Sequence, residues 1–356
     1  MTATLETGPD STARICTDGA AWNRLVERAD GPPFARWEWG TSCETYGHDR
    51  LYLAVDDGNR LVAGLPLFLV RSRLFGSKLV SPPFGEHGPL LSVSGAAKDA
   101  RFEILQRVLE LADERDVDFV SVRGWGADTT EPFETRTRFV TFQNAVGDGP
   151  EAVWDQIKSS RKRQIRQAEE NTALTYDVGD SLDDLRDFYG LYLESMRDHG
   201  TPPHAWRFFR TLWDSFHGAD AAHLGLIRRH GDPINAVLDL SQGSSVHQWA
   251  VCTDAEHREL NGGSLVTWKS LEWAAERGYD TYDFGRTREG SGVYMFKKSF
   301  GGEKTWYDDT HYFPGGETAL PHPEDETYDE LKWVWKHLPL PITRYVGPSI
   351  RKCISL

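Results

Sequence analysis

Residues 283–302 concentrate glycine, cationic and aromatic side chains between two strand-like runs. Glycine lets the backbone approach a ligand closely and adopt positive φ, and Lys297 and Lys298 place positive charge beside that backbone. A glycine-broken loop of this kind could hold an anionic or carbonyl-containing substrate, and a long solvated hairpin fits the same pattern. The candidate substrate-binding residues in this stretch are Arg286, Tyr294 and Phe296.

Two further sets of residues could take part in proton transfer. Asp283 ends a strand-like run beside Gly285, where it could act as an acid–base group or as a hydrogen-bonding anchor. Glu86 and His87 lie in the proline- and glycine-rich segment 76–92, which is predicted to loop over a pocket. An adjacent carboxylate and imidazole could move protons near neutral pH, although such a pair is more often structural.

The segment 158–170 is a basic island in an acidic chain. It opens with serines, and Lys158, Arg161 and Arg163 recur within the first two turns of a predicted helix. Free N–H groups at a helix start favour an anion, and the guanidinium fork binds two oxygens at once. The segment therefore predicts a phosphate or pyrophosphate clamp, and a solvated face paired with the following glutamates is the alternative. Because Arg161 and Arg163 point to different sides of a helix, only one of them is expected to contact a given ligand.

The elements that must position these residues form a repeated pattern. In each half of the chain, two helices precede an antiparallel hairpin, a further helix and a strand. Turn-rich residues near 143–151 mark the boundary between the halves. The sequence thus predicts an α+β (mixed α/β) fold with domains at 1–147 and 148–318, followed by a tail at 319–356.

Composition limits the classes of function. The net charge of −14 argues against DNA binding, and the excess of acidic residues indicates a halophilic source. The four cysteines and twelve histidines form no zinc-ligand spacing, so no metal site is predicted. Neither a run of 18 apolar residues nor a secretory signal is present, which predicts a cytoplasmic protein.

The C-terminal tail differs from the rest of the chain. From Leu331 onward it contains five Lys/Arg and no Asp/Glu, interspersed with tryptophan and leucine. This composition suits peripheral contact with an anionic membrane surface, and a tail packed on the body fits it as well.

Several segments together resemble the FemAB-like aminoacyltransferases of the GNAT superfamily, which include lipid II:glycine glycyltransferases and exosortase-associated relatives. The resemblance covers most of the chain. It depends on the run Leu-Phe-Gly-Ser-Lys-Leu-Val-Ser-Pro-Pro-Phe at 74–84 and on Ser-Arg-Lys-Arg-Gln-Ile-Arg-Gln-Ala at 160–168. The most specific part is Asp-Phe-Gly-Arg at 283–286, followed by Gly-Val-Tyr-Met-Phe-Lys-Lys-Ser-Phe-Gly at 292–301. The resemblance implies two tandem GNAT-like domains, each with a mostly antiparallel sheet flanked by helices.

The same resemblance implies an activity and roles for residues. Members move an aminoacyl group from aminoacyl-tRNA to an amine on a cell-wall precursor, without a permanently bound cofactor. Lys297 corresponds to the family's lysine after phenylalanine and would stabilise negative charge on the acyl carbonyl. The loop at 258–263 resembles the pyrophosphate-binding loop of GNAT acyl-CoA transferases. Arg258 and Gly263 match that loop, Asn261 replaces its first glycine, and Gly262 and Gly263 complete the candidate cofactor-binding set.

The expected function is therefore amide formation on a phosphate-bearing small-molecule or lipid-linked acceptor. Two alternatives stay open. One is an acetyl-CoA-dependent GNAT N-acetyltransferase, and the other is a non-catalytic, membrane-docked binding protein of a surface-modification pathway. The long coiled-coil arm of some family members is absent, because the sequence has no extended heptad run.

Overall fold

The computed structural model describes residues 12–354, apart from residue 74 and the segments 94–97, 125–131 and 317–325. These residues fall into two compact units. Unit 1 takes the chain up to Phe139, a segment that begins at Trp306 and the last residues from Lys352. Unit 2 takes Val140–Thr305 and a segment that ends at Arg351. The first residues of the predicted tail, 319–325, lie outside the described residues.

Unit 1 contains a sheet in the order β1-β2-β3-β4-β6-β13 with three helices. Its elements are β1 (Arg14–Ile15), α1 (Gly19–Arg28), α2 (Trp37–Glu44), β2 (Asp49–Asp56), β3 (Leu61–Ser72), β4 (Gly76–Ser81), β5 (Leu91–Ser92), α3 (Lys98–Glu114), β6 (Phe119–Arg123) and the part of β13 (Glu303–Tyr312) from Trp306. The pairs are antiparallel except β4–β6, which is parallel. Strand β3 is buried without a break from Ala63 to Val70, as expected of a central strand packed on both faces.

Unit 2 contains sheet strands in the order β8-β9-β10-β11-β12-β7, with helices packed on them. Its elements are the part of β7 (Glu134–Ala145) from Val140, α4 (Pro150–Gln156), α5 (Ser159–Glu169), β8 (Leu174–Gly179), α6 (Leu182–Asp198), α7 (Trp206–His217), β9 (Ala222–Arg229), β10 (Asp232–Gln242), β11 (Ser245–Thr253), α8 (Gly262–Glu276), β12 (Thr281–Asp283), α9 (Gly292–Lys298), α10 (Glu326–His337) and α11 (Leu340–Arg351). Only β11–β12 is parallel. The core forms because α8 buries most of its side chains, including Val266 and Leu271, against the sheet.

Both units follow the same path. A helix pair (α1 and α2, or α6 and α7) leads into three antiparallel strands (β2–β4, or β9–β11). A helix (α3 or α8) then returns the chain to a strand parallel to the third one (β6 or β12). The parallel strand ends at Arg123 in unit 1 and at Asp283 in unit 2, and both side chains are buried. The predicted repeat and the predicted tandem mixed α/β fold are confirmed.

The sequence pattern over 152–171 predicts a single helix, and the structure corrects this prediction. Ile157 and Lys158 have extended ψ angles of 135° and 143°, and they separate α4 from α5. The reason is tertiary: Ile157 is buried, and the Lys158 N–H donates to the Ser299 carbonyl at 3.0 Å instead of continuing the helix. Helix α5 therefore begins against the end of α9.

Two predicted loops are also wrong in part. Residues 76–81 form β4, because Leu79, Val80 and Ser81 are buried between β3 and β6. The glycine-broken stretch 283–302 contains helix α9, so it is not a continuous loop. Strand β7 was not predicted at all.

Candidate active site

Asp283 lies at the last position where β11 and β12 pair. Its carboxylate accepts hydrogen bonds from Thr141 Oγ1, Gln143 Nε2 (2.9 Å) and the Gly285 N–H (2.7 Å), and His247 Nδ1 is 3.9 Å away. Burial raises the pKa of Asp283, but the His247 charge and these hydrogen bonds outweigh burial and hold the pKa below its ordinary value. A carboxylate held in this way is a weak base at neutral pH, so the geometry favours the anchor interpretation.

Lys297 lies on α9 and reaches the turn that follows β12. Ser291 Oγ accepts the Tyr294 N–H at 3.0 Å and caps the start of this helix. The Lys297 Nζ donates to the Gly285 carbonyl at 3.0 Å and to the Arg286 carbonyl at 3.2 Å. The half-buried Lys297 ammonium is thus fixed at the turn that follows β12. The Gly285 N–H of the same turn donates to the Asp283 carboxylate.

Arg161 of α5 joins three helices through one half-buried guanidinium. Its Nε donates to Ser299 Oγ at 2.8 Å, and its Nη1 donates to Ser264 Oγ at 2.6 Å and to Gln164 Oε1 at 2.7 Å. The guanidinium also lies 4.4 Å from the centre of the Phe296 ring. Burial lowers the pKa of Arg161, yet an arginine stays protonated in proteins. Among the described residues, no carboxylate forms an ion pair with it.

The start of α8 lies beside Arg161, because Ser264 belongs to the first turn of this helix. Asn261 precedes the helix with φ +59°, and its carbonyl accepts the Ser264 N–H at 2.9 Å. Gly262 and Gly263 are the first two residues of the helix, where N–H groups have no partner within the helix itself. The candidate cofactor-binding glycines and Arg161 therefore meet at one helix terminus, which favours an anion.

Gly262 has a packing role that can be tested. A Cβ at this position would lie 1.9 Å from the Oδ1 of the buried Asn235. We expect Gly262→Ala to lower the free energy of unfolding by about 1–3 kcal/mol, because a rigid, packed neighbour must move. Gly263→Ala is the matched control, since its Cβ would meet nothing closer than 3.3 Å. Urea unfolding of both variants measures the difference, and an equal effect would contradict this account.

The other basic candidates lie at the surface. Lys158, Arg163 and Arg258 are exposed. Arg163 faces a shallow pocket of 440 Å³ on the outer side of α5. This pocket is lined by Ser159, Ser160, Arg163, Arg166, Gln167 and Glu170. Arg161 and Arg163 thus face different surroundings, as the helical spacing predicted.

The aromatic candidates differ from each other in burial. Tyr294 is buried, with its ring centre 5.2 Å from that of Phe142, which favours a packing role in the core. Phe296 is half-buried beneath Arg161, and Arg286 contributes its carbonyl to the Lys297 contact.

Glu86 and His87 belong to unit 1, where the His87 ring centre lies 5.2 Å from that of Tyr307.

Sequence reasoning missed the polar residues that hold the candidates in place. Ser264 and Ser299 fix Arg161, while Thr141, Gln143 and His247 surround Asp283. The pattern at 258–277 predicts a helix that begins at Ser264, but it does not predict that the Ser264 hydroxyl accepts a hydrogen bond from Arg161. The others are far from their partners in sequence and carry no local pattern.

Comparisons with known proteins agree with this geometry. Residues 157–298 match the family model described as an acetyltransferase (GNAT) domain, and this range contains all the candidate residues of unit 2 discussed above. The structure of FemX superposes with a TM-score of 0.67 at 13% sequence identity, covering 83% of this chain and 96% of FemX. L-PGS from Bacillus licheniformis gives a TM-score of 0.56 at 10% identity, covering 96% of this chain and 99% of that one.

A third similar structure is the C-terminal domain of a putative lysylphosphatidylglycerol synthetase from Agrobacterium fabrum. Its TM-score is 0.56 at 8% identity, and the match covers 83% of this chain and 91% of that domain. No curated protein sequence matches the chain. The family-model match and the shared fold confirm the resemblance to FemAB-like GNAT proteins. Residues 157–298 therefore form a GNAT acyltransferase domain in a chain with a tandem GNAT-like fold, and this fold is similar to that of FemX.

Proposed function

We propose that this protein forms an amide by moving an acyl or aminoacyl group from a phosphate-bearing donor to an amine. The acceptor in this proposal is a phosphate-bearing cell-envelope or glycan precursor. The observation that carries the proposal is Arg161, a half-buried cation whose side chain is held by hydroxyl and amide groups and by no described carboxylate. Partial burial of a charge without a counter-charge raises the free energy of the folded protein. An anionic ligand bound to Arg161 would supply the counter-charge and offset this cost.

The chemistry of the donor follows from the place of Arg161. Its guanidinium and the first N–H groups of α8, at Gly262 and Gly263, converge on one helix start. Two such groups suit a diphosphate, with the two N–H groups of Arg161 Nη2, which has no acceptor among the described residues, on one set of oxygens and the helix terminus on another. We therefore assign this end of α8 to the donor phosphates.

The outer side of α5 suits a second phosphate-bearing molecule. Lys158, Arg163 and Arg166 are exposed there, and the pocket of 440 Å³ lies along the same side. Among the contacts of the described residues, none joins these three cations to Gly262, Gly263 or Ser264, whereas Arg161 donates to Ser264. In the proposal they bind the phosphate of the acceptor.

The reaction needs one addition and one elimination. The neutral amine attacks the acyl carbonyl and forms the C–N bond, and negative charge develops on the carbonyl oxygen. The Lys297 ammonium neutralises that charge in the transition state. The intermediate then breaks the bond to the donor and releases a thiolate from a thioester or a ribose hydroxyl from an aminoacyl ester. The proton of the amine leaves to solvent or to the released group, because Asp283 is too weak a base to take it.

Two observations favour different acyl donors. A putative lysylphosphatidylglycerol synthetase has a similar fold, and its name describes an enzyme that attaches an amino acid to a phospholipid. This similarity favours an aminoacyl donor. The GNAT domain and the glycine-bearing start of α8 favour acyl-CoA, and hence an acetyl-CoA-dependent N-acetyltransferase as the second candidate.

Direct binding separates the two donors. We expect titration of the full chain with acetyl-CoA and with aminoacyl-tRNA to give micromolar affinity for one of them only. Adenosine 3′,5′-diphosphate should compete with acetyl-CoA, and uncharged tRNA should compete with the charged one. Binding of neither donor at low salt would contradict the proposed function.

A further inference from the structure

The two C-terminal helices carry a concentrated set of exposed apolar side chains. Twelve large hydrophobic side chains are exposed among the described residues, and six of them lie on α10 and α11. We call these six the C-terminal face: Leu331, Trp333, Val334, Ile342, Tyr345 and Val346. Single exposed apolar residues are ordinary, but half of the exposed set on two consecutive helices indicates a candidate interaction surface.

The face is built into α11 by the way this helix packs. Thr343 and Gly347 are buried, four residues apart on one side. Gly347 allows close approach, since a Cβ there would lie 2.4 Å from Pro203 Cδ. Ile342, Tyr345 and Val346 follow the i, i+3, i+4 spacing on a separate, exposed side of the helix, and Tyr345 is 84% exposed. This helix packs through its small residues and turns its apolar stripe to solvent.

The exposure is not that of a detached tail. Both α10 and α11 pack against α6 of the same unit, and Trp335 of α10 is buried. The Arg351 Nε donates to the His204 Nε2 at 3.2 Å, which fixes the end of α11. The apolar side chains are therefore held outward by a folded scaffold.

Charge indicates what covers the face. The three acids of α10 (Glu326, Asp329 and Glu330) lie within its first five residues, and from Leu331 onward the chain has five cations and no acid, whereas the whole chain has a net charge of −14. The cations are Lys332, Lys336, Arg344, Arg351 and Lys352. Tryptophan and tyrosine beside lysine and arginine suit the boundary between lipid headgroups and acyl chains, and the cations attract anionic lipid. Among the described helices, none combines the length and apolar character needed to cross a bilayer.

We propose that the C-terminal face docks this protein on an anionic phospholipid bilayer, with α10 and α11 lying in the plane of the membrane surface. The apolar side chains enter the headgroup region, and the exposed cations Lys336 and Arg344 attract anionic lipid from beside the face. This docking does not depend on the identity of the acyl donor or acceptor, so it can fail or hold separately from the proposed function.

Vesicle co-sedimentation tests the proposal on the full chain. We expect binding to phosphatidylglycerol–phosphatidylcholine vesicles, weaker binding to pure phosphatidylcholine, and release near 1 M salt, where the screening length is about 3 Å. Reversing two charges with Lys336→Glu and Arg344→Glu should weaken binding by about 25-fold or more, at about fivefold for each cation removed. The double variant Trp333→Ser and Tyr345→Ser should weaken it by about tenfold or more.

Matched controls lie on the other unit. Phe102→Ser removes a side chain that is 41% exposed on α3, and Arg60→Glu with Arg71→Glu reverses two exposed charges. These variants should bind vesicles as the parent protein does, and circular dichroism should show all variants folded. Equal loss in the controls, or no binding to anionic vesicles at low salt, overturns the proposal. A concentration-dependent dimer that the C-terminal variants abolish, without vesicle binding, would assign the face to a second copy instead.

Discussion

Replacing Lys297 by methionine should lower kcat for acyl transfer by about 10²–10³-fold, the cost of removing one donor that stabilises an oxyanion. Methionine keeps the length and the apolar stem of lysine but loses the ammonium that donates to the carbonyls of Gly285 and Arg286. The KM for the donor should change little, because the charge on the carbonyl oxygen develops only in the transition state. Steady-state kinetics with the donor identified by titration gives both constants.

A structural role for Lys297 must be separated from a chemical one. Loss of the two hydrogen bonds should also cost about 1–3 kcal/mol of stability, which urea unfolding will measure. Lys297→Arg keeps the charge and should recover part of kcat, whereas a purely structural role predicts equal loss in both variants. Lys298→Met is the matched control, because Lys298 is the exposed neighbour on the same helix. An unchanged kcat in Lys297→Met would end the oxyanion assignment.

Arg161→Gln should weaken donor binding by about 10- to 100-fold, since a hydrogen bond to a charged group contributes about 1.5–3 kcal/mol. Glutamine can still bond to the hydroxyls of Ser264 and Ser299, so the fold should persist. The effect should appear in the donor Kd and KM more than in kcat, because the donor phosphates are bound before and during the reaction. Titration with adenosine 3′,5′-diphosphate or with tRNA, according to the donor found, measures it.

Arg163→Gln is the control for this prediction. Arg163 is two residues along the same helix, exposed, and directed to the outer pocket. We expect the donor Kd of this variant to stay within about twofold of the parent value, as for an ordinary surface charge. If both variants lose donor affinity equally, the donor phosphates lie on the outer side of α5, and the assignment to the start of α8 is wrong.

The path of the chain could be predicted because it depends on local patterns. The alternation of buried strands with amphipathic helices is visible in residues such as Leu61 to Val70 and Trp206 to Phe216, and it repeats in both halves. Boundaries that depend on distant partners were missed. The separation of α4 from α5 depends on the carbonyl of Ser299, and the burial of 76–81 depends on strands on either side.

The candidate site was likewise predictable only in part, because its segments have local sequence signals and the contacts between them do not. The unusual composition at 283–302, the basic island at 158–170 and the paired glycines at 262–263 identified the segments that the fold brings into unit 2. The hydrogen bonds and packing contacts that join these segments were not predictable. Nothing local indicates that Arg161 turns inward to two serines more than 100 positions away, or that Tyr294 enters the core.

The two parallel strands that close each repeat end in side chains of opposite sign, Arg123 in unit 1 and Asp283 in unit 2. The electrostatic potential at the end of this strand is therefore positive in unit 1 and negative in unit 2. Each buried charge is stabilised by hydrogen bonds within its own unit. A carboxylate at the position of Arg123 could not donate to the Gly85 carbonyl as this guanidinium does, so the ends of the two strands are not interchangeable.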